Sequence, residues 1–210
     1  MEIAKFIEYT NLKPYATEKD IIKLCKEAIR YGFFGVCVNP VYVKLCKEIL
    51  KNTNVRICSV VGFPLGCNTT KVKVLESQQV ICDGADEIDM VINLSALKSG
   101  NYEEVYKDIS FVRKATEGKI LKVILEVCYL TKKEKVIAVE IAKKAKADFI
   151  KTSTGFGTSG ANVEDIKLIK SIVKENIGIK AAGGIKDKNT ALKMIKAGAD
   201  RIGTSSLIKD

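Results

Sequence analysis

Short runs of apolar and β-branched residues recur along the chain, and a longer segment with helical periodicity follows nearly every one. Such runs are typical of buried strands, whereas apolar residues spaced three and four apart indicate amphipathic helices. The pattern predicts eight strands, at residues 6–10, 32–38, 55–63, 86–93, 120–127, 148–152, 177–182 and 201–205. It predicts helices near residues 17–31, 40–52, 69–82, 102–117, 131–146, 162–176 and 187–198, with capping residues at Thr17, Thr131 and Asp187.

Alternation of strands and helices indicates a parallel sheet with helical crossovers. Eight strands in 210 residues favour a closed (β/α)8 TIM barrel. An open flavodoxin-like sheet is the structural alternative, although it leaves about three strands unexplained. Because no linker rich in Gly, Pro or Ser divides the chain, we expect a single barrel domain over residues 1–210.

The chain is basic, with 35 Lys and Arg residues against 25 Asp and Glu residues and a net charge of +10. The excess could reflect a nucleic-acid partner, a phosphorylated substrate or a lysine-rich proteome. Its lysines are spread along helical patterns such as "KKEKVIAVEIAKKAK" and do not gather into a basic arm. We therefore expect solvated helix faces and no nucleic-acid partner. A basic binding module stays open as a second class of function, and it predicts steeply salt-dependent binding.

The cysteines and the absence of histidine limit the cellular compartment and the catalytic groups that the protein can use. Seven cysteines without a CxxC pair indicate a reducing compartment. No apolar run reaches the length of a membrane span and the start lacks a hydrophobic signal core, so we expect a cytoplasmic protein without a membrane partner.

With no histidine in the chain, catalysis must come from Lys, Asp or Glu, Tyr or Cys. We expect neither a metal nor a cofactor.

Three predicted strand ends carry charge in apolar surroundings: Asp89 in "DEIDMVIN", Lys151 in "DFIKTSTGF" and Lys180 in "IGIKAAGGI". Because strand side chains alternate, Glu87 and Asp89 share one face of their strand, and Phe149 and Lys151 share one face of theirs. A single lysine at such a point is more often the first solvated residue of a loop. Two lysines at the ends of adjacent barrel strands indicate a catalytic site instead.

Coulomb's law predicts what this lysine pair does. Two ammonium groups ~4 Å apart at an effective dielectric constant of ~20 repel by roughly 4 kcal/mol, so one loses its proton near neutral pH. A neutral lysine amine attacks carbonyl carbons, and its protonated Schiff base is the electron sink that carbon–carbon cleavage requires. Asp89 could then move protons through water.

Two later segments are suited to an anion. "AAGGIKD" places Gly183 and Gly184 before a predicted helix, where free N–H groups and the helix dipole favour phosphate. "RIGTSS" adds Gly203 with the hydroxyls of Ser205 and Ser206. Each segment alone is consistent with ordinary turn chemistry. Both follow the last two strands of the predicted barrel, which is a frequent phosphate position in this fold.

These residues lie in a series of motifs that resembles one known family. The segments "FGVCVNPVYV", "SVVGFPLG", "GADEIDMVINLSALKSG", "KVILEVCYLT", "IKTSTGFGTSGA", "IKAAGGIK" and "GADRIGTSS" resemble the deoxyribose-phosphate aldolases over nearly the whole chain and in the same order. The resemblance implies a class I aldolase that reversibly cleaves 2-deoxy-D-ribose 5-phosphate to D-glyceraldehyde 3-phosphate and acetaldehyde. It also implies deoxyribonucleotide catabolism, small-molecule sugar phosphates and aldehydes as partners, and a homodimer.

Site roles carry over from the family position by position. Lys151 resembles the Schiff-base lysine, Lys180 the second lysine that perturbs it, and Asp89 the acid/base carboxylate. Thr154 is implied to line the substrate pocket. The implied phosphate contacts are Gly155, Gly183, Gly184, Lys186, Gly203, Ser205 and Ser206.

The chain also departs from the family pattern. Glu8 and Tyr9 replace the Asp and His of the usual first strand, and Ala182 replaces a frequent serine. Some members end in a tyrosine tail implicated in proton transfer, whereas this sequence stops at Asp210, so we expect lower turnover or a water in that role. We expect Cys37, where the family often keeps a cysteine, to be a small buried residue. Another phosphate-binding barrel enzyme, an isomerase or a transaldolase-like enzyme, remains an alternative.

Overall fold

A computed structural model describes residues 2–208. Within them, eight parallel strands form a closed barrel in chain order, and the first strand pairs with the last through Ile7 and Ile202. The predicted (β/α)8 TIM barrel is confirmed. The strands are β1 (Ile7–Asn11), β2 (Gly35–Val38), β3 (Arg56–Val61), β4 (Glu87–Val91), β5 (Ile120–Ile124), β6 (Phe149–Lys151), β7 (Gly178–Ala182) and β8 (Arg201–Thr204).

Helices cover the outside of the barrel and pack on the apolar outer faces of the strands. The three predicted capping residues each accept a hydrogen bond from an N–H of the first turn, as expected for N-caps. The α-helices are α1 (Glu18–Tyr31), α2 (Val43–Ile49), α3 (Thr70–Cys82), α4 (Leu94–Lys98), α5 (Tyr102–Ala115), α6 (Lys132–Lys144), α7 (Val163–Val173) and α8 (Lys188–Ala197).

Several predicted elements were too long. Strand β3 ends before Gly62, which has a φ of 62°, and β5 ends before Glu126, which has a φ of 52°. A left-handed residue cannot continue a strand, so both predicted strands were extended into the loops above them. Helix α2 is shorter than predicted because Pro40 opens a separate 3-10 turn. The short helix α4 was not predicted; Asn93 caps it by accepting from the N–H of Ala96.

The barrel encloses charge as well as apolar volume. Among the largest fully buried side chains, four are lysines: Lys73, Lys122, Lys151 and Lys180. Lys73 lies between α3 and α5, where its ammonium pairs with Asp108 at 2.5 Å; the other three ammonium groups contact carboxylates of the barrel strands. None of the helices in residues 2–208 has the length and apolar character to cross a membrane. Asp210, on which the prediction about the tyrosine tail depends, lies outside the described residues.

Candidate active site

Strand register brings the three predicted catalytic residues together. Asp89 on β4 is paired with Lys122 on β5, and Lys151 on β6 is paired with Lys180 on β7. Asp89 is fully buried, and the ammonium groups of Lys151 and Lys180 both donate to its Oδ2, at 2.8 and 2.7 Å. The predicted convergence of these side chains inside the barrel is therefore observed.

Lys122 is a third amine in this cluster, and the strand-end pattern did not indicate it. Its ammonium donates to Asp89 Oδ1 at 2.9 Å and pairs with Glu87 at 2.6 Å. Glu8 on β1 closes the network by contacts with Lys122 and with Lys180. A signal was available, since a lysine in the middle of the apolar run "ILKVILEV" is as unusual as Asp89 in its own strand.

The network balances three ammonium groups against three carboxylates. Burial alone disfavours the charged form of Asp89, but Lys122, Lys151 and Lys180 outweigh it and hold the pKa of Asp89 well below its usual range. Burial likewise opposes the charge of Lys180, yet Asp89 and Glu8 raise its pKa well above the usual value. The second lysine is therefore a fixed ammonium at neutral pH. The charges of Asp89 and Lys180 are thus fixed by their lysine and carboxylate neighbours, without a histidine.

A cavity of about 490 Å³ opens above the network, with Lys151 in its lining. Lys180 and Asp89 are fully buried, whereas Lys151 is 2% exposed and is the lysine of the network that lines the cavity. Of the other predicted site residues, seven also line it: Thr154, Gly155, Gly183, Gly184, Lys186, Gly203 and Ser205. Ser206 is not in the lining, and its N–H donates to Thr204 Oγ1 at 3.0 Å.

Two glycines fit the site because a side chain has no room there. A Cβ on Gly203 would lie 3.1 Å from Lys180 Cε and 3.0 Å from the Ala182 side chain. Gly183 has a φ of 90°, and a Cβ there would lie 2.9 Å from the Cα of Gly160 in the preceding loop. Glycine at these positions therefore leaves space for the lysine and lets two cavity loops approach each other.

The helix after Gly183 and Gly184 is capped by Asp187, as predicted, so fewer N–H groups of its first turn are open to an anion than the two glycines alone would indicate. Helix α8 begins only at Lys188, and the carboxylate of Asp187 accepts from the Thr190 N–H at 2.8 Å. The first turn thus already carries its own negative cap. Anion binding at this end of the cavity would depend on the N–H groups and side chains of the loops.

Glu126 is a further polar residue beside the cavity that the strand-end pattern did not indicate. It lies just beyond β5, is 2% exposed and accepts from the hydroxyl of Thr154. The Thr154 N–H donates to its two carboxylate oxygens at 3.2 and 3.4 Å. Sequence periodicity predicts a strand up to residue 127 and therefore misses the left-handed turn that directs the Glu126 side chain toward Thr154.

The residues that depart from the family pattern have clear environments. The hydroxyl of Tyr9 donates to Glu27 at 3.0 Å, and burial together with this bond raises the pKa of Tyr9 to about 12. Ala182 lines the cavity. Cys37 is fully buried beside Cys58 on the next strand, as expected of a small core residue.

Among the described residues, one group has the donor atoms for a metal ion. Ligand atoms of Glu8, Cys37, Cys58 and Asp89 lie within 4.8 Å of one another. The carboxylates of this group already accept from Lys122 and Lys180, and Lys122 also contacts Cys58 Sγ at 3.4 Å. The two lysine ammonium groups provide the positive charge that a metal ion would supply. The group is therefore an ion-pair network.

Comparison with known proteins agrees with this geometry. The model of the DeoC/LacD family aldolases matches residues 8–208. The chain belongs to the DeoC/LacD aldolase family. The resemblance inferred from the sequence is confirmed, and so is the prediction of an enzyme of the aldolase class, a carbon–carbon lyase.

Individual members of the DeoC/LacD family match over most of their length. A deoxyribose-phosphate aldolase of Thermococcus gammatolerans is 58% identical over 213 residues, covering 100% of this chain and 95% of the relative. The solved aldolase QR15 superposes with a TM-score of 0.94 at 48% identity, covering 97% of this chain and 91% of that one. The deoxyribose phosphate aldolase of Aeropyrum pernix, described as a tetramer, has a TM-score of 0.90 at 39% identity and covers 97% and 87% of the two chains.

Proposed function

We propose that the protein cleaves 2-deoxy-D-ribose 5-phosphate reversibly to D-glyceraldehyde 3-phosphate and acetaldehyde through a Schiff base on Lys151. One observation carries this proposal: of the three lysines in the buried network, Lys151 is the one that lines the cavity, and the carboxylate beside it also binds Lys180, whose pKa is held well above its usual value. The reaction belongs to deoxyribonucleotide catabolism. Deoxyribose-phosphate aldolases at up to 59% identity support the choice of substrate.

The proposed reaction begins when the Lys151 ammonium gives a proton to water and the resulting neutral amine attacks the C1 aldehyde. Loss of water gives a protonated imine, and removal of the proton from the C3 hydroxyl breaks the C2–C3 bond. The C3 oxygen becomes the aldehyde of glyceraldehyde 3-phosphate, and the bonding electrons enter the imine to form an enamine. Protonation of the enamine at C2 and hydrolysis then release acetaldehyde and the lysine. Each proton leaves or enters through water and Asp89, whose Oδ2 contacts Lys151.

The phosphate is proposed to lie at the end of the cavity formed by the loops after β6, β7 and β8. Gly155, Gly183, Gly184 and Gly203 leave the backbone there open to an anion, and Lys186 and Ser205 lie in the same lining. The lysine would supply charge and the loop N–H groups would supply hydrogen bonds. Ser206 would contribute through its hydroxyl, because its N–H donates to Thr204 Oγ1. A homodimer remains the expectation from the family, and a cytoplasmic location remains the expectation from cysteine usage.

Borohydride trapping tests the covalent step. The protein is incubated with acetaldehyde, reduced, and searched for modified lysines by peptide mass spectrometry, with and without deoxyribose 5-phosphate as competitor. We expect one adduct, on Lys151, that the sugar phosphate suppresses. Lys180 is the internal control, because it lies in the same network but is fully buried.

Two variants complete the test. Lys151→Met should lose the adduct and several orders of magnitude in cleavage rate, because the covalent route is gone. Lys186→Met should keep the adduct and raise KM for the sugar phosphate. Full activity of Lys151→Met, or scattered modification of surface lysines, would rule out the proposal. A sugar-phosphate panel separates it from an isomerase, which releases no acetaldehyde.

A further inference from the structure

The turn after β5 is built to aim one carboxylate at the cavity loop that follows Lys151. Glu126 has a φ of 52°, which residues other than glycine seldom adopt. The residues on either side are fixed to the strand of the catalytic lysine, since the Leu125 N–H donates to the Lys151 carbonyl at 3.0 Å and the Val127 N–H donates to the Thr152 carbonyl at 3.0 Å. A strained residue held between two such bonds indicates a functional constraint.

The space around this carboxylate is also closed. A Cβ on Gly157 would lie 2.6 Å from Cys128 Sγ, 3.1 Å from Glu126 Cδ and 3.2 Å from Glu126 Oε1. The loop that carries Thr154 therefore returns directly over the Glu126 carboxylate. The carboxylate has little freedom to turn away from Thr154.

The bonds of Thr154 determine the direction of its hydroxyl. Its single O–H donates to Glu126, and one oxygen lone pair accepts from the Phe156 N–H at 3.0 Å. A hydroxyl has one proton and two lone pairs, so one lone pair is left. Because Thr154 lines the cavity beside Lys151 and Gly155, the group it presents there is an acceptor and not a donor.

We propose that Glu126 is a positioning residue that makes Thr154 a fixed acceptor for a substrate hydroxyl, and that this bond selects phosphorylated aldehydes carrying a hydroxyl next to the carbonyl. The inference rests on the proposed function. During cleavage the C3 hydroxyl of deoxyribose 5-phosphate loses its proton and needs a partner that takes it up. The C4 hydroxyl keeps its proton throughout, and an acceptor that cannot give a proton fits it. In the reverse direction this is the C2 hydroxyl of D-glyceraldehyde 3-phosphate.

The test measures hydroxyl preference in the direction of synthesis. With acetaldehyde as donor, kcat/KM is compared for D-glyceraldehyde 3-phosphate and for 3-oxopropyl phosphate, which has the same aldehyde and phosphate but no hydroxyl. We expect the native protein to prefer the hydroxylated acceptor at least about tenfold, because a site built for a hydroxyl is left unpaired without it. Thr154→Val should bring this ratio to within about threefold of unity, and Thr154→Ser should preserve it.

Glu126→Gln tests the positioning role itself. A glutamine can donate its amide N–H to Thr154 Oγ1, which frees the hydroxyl proton to turn toward the cavity. The preference should fall about as far as in Thr154→Val, while the borohydride adduct on Lys151 is kept. Glu134→Gln makes the same chemical change on α6, at a residue outside the cavity lining, and should leave the ratio unchanged.

Three outcomes contradict the inference. A merely structural role for Glu126 would lower kcat/KM for both acceptors equally and leave their ratio intact. A native protein without hydroxyl preference would overturn it as well, as would retention of the preference in Thr154→Val. Failure of the proposed function is recognised separately, because the native protein would then form no product from either acceptor and no adduct on Lys151.

Discussion

Lys122 and Asp89 are partners in the register of β5 and β4, and the Lys122 ammonium donates to Asp89 Oδ1 at 2.9 Å. Lys151 and Lys180 both use the other oxygen, Oδ2. The two oxygens of one carboxylate thus have different surroundings. Oδ1 accepts from Lys122, which is not in the cavity lining, whereas Oδ2 accepts from Lys151, which is, so the proposed proton transfer would use Oδ2.

Replacement of Lys122 tests this division. In Lys122→Met the acidic residues Glu8, Glu87 and Asp89 lose a positive neighbour, so the depressed pKa of Asp89 should rise. Asp89 is then protonated over a wider range of low pH, and the acid limb of the pH–rate profile should move to higher pH. We expect kcat to fall by about 10²-fold or more, as for a disturbed acid/base group. Adduct formation on Lys151 should persist.

Lys114→Met is the control for this experiment, because Lys114 is an exposed residue near the end of α5, in the outer layer of helices. It should leave the pH–rate profile and kcat unchanged. If Lys122→Met has the native acid limb, Lys122 is only a packing residue, and the division of roles between Oδ1 and Oδ2 is wrong.

The buried pair of Lys73 and Asp108 should stabilise the outer layer without contributing to catalysis. Lys73 also donates to the Val91 carbonyl at 3.0 Å, and Thr70 donates to Asp108 at 2.8 Å. Lys73→Met leaves the Asp108 carboxylate buried without its charge partner, which should cost about 3–5 kcal/mol in the free energy of unfolding. Urea denaturation at pH 7 measures this loss.

The double variant Lys73→Met with Asp108→Leu separates pairing from burial. Removing both charges avoids an uncompensated ion, so we expect it to recover more than half of the lost free energy. If the double variant is less stable than Lys73→Met, the pair contributes net stability beyond the cost of an orphaned charge. Neither variant should alter the adduct on Lys151.

Much of the fold follows from sequence pattern, and the limits of that pattern are instructive. Two-residue alternation correctly places Asp89 on the inner face, because strand geometry fixes it. Lys122 sits in an equally regular strand, yet one lysine in an apolar run does not reveal which carboxylates surround it. Such pairing depends on register between strands, which local periodicity does not contain.

The cavity loops show a different limit. The left-handed turn at Glu126 reads as the continuation of a strand. The turn depends on backbone dihedral angles, which local periodicity does not contain. The family resemblance supplied Thr154 and Gly155 correctly as cavity residues, but hydrogen-bond direction could be assigned only from the structure.

Tyr9 should not act as an acid or base at neutral pH, although it stands where the family often has a histidine. Its pKa of about 12 keeps the phenol protonated throughout the working range. Tyr9→Phe should therefore leave the shape of the pH–rate profile unchanged from pH 6 to 10 and kcat within about threefold. Loss of an alkaline limb in this variant would assign Tyr9 a proton-transfer role. Glu27→Gln, which changes the partner of the hydroxyl and keeps the ring, is the matched control.

The start of α6 should carry an acid-sensitive share of the stability. The Glu134 carboxylate accepts from the Thr131 N–H at 2.7 Å and pairs with Lys98 at 3.0 Å, and chiefly through the first of these bonds the pKa of Glu134 falls from 4.5 to about 2. Because the folded-state pKa lies below the unfolded value, the stabilisation is complete above about pH 4.5 and is lost as the pH falls through about 2. Glu134→Gln should lower Tm at pH 7, and the difference in Tm from the native protein should narrow between pH 4.5 and 2.

Glu140→Gln on the same helix is the control. It should show only a small difference in Tm, because the exposed pair of Glu140 with Lys143 contributes little. For Glu134→Gln, a difference in Tm that stays constant down to pH 2 would show that it does not come from ionisation of Glu134, and no difference at pH 7 would show that the amide caps the helix as well as the carboxylate does.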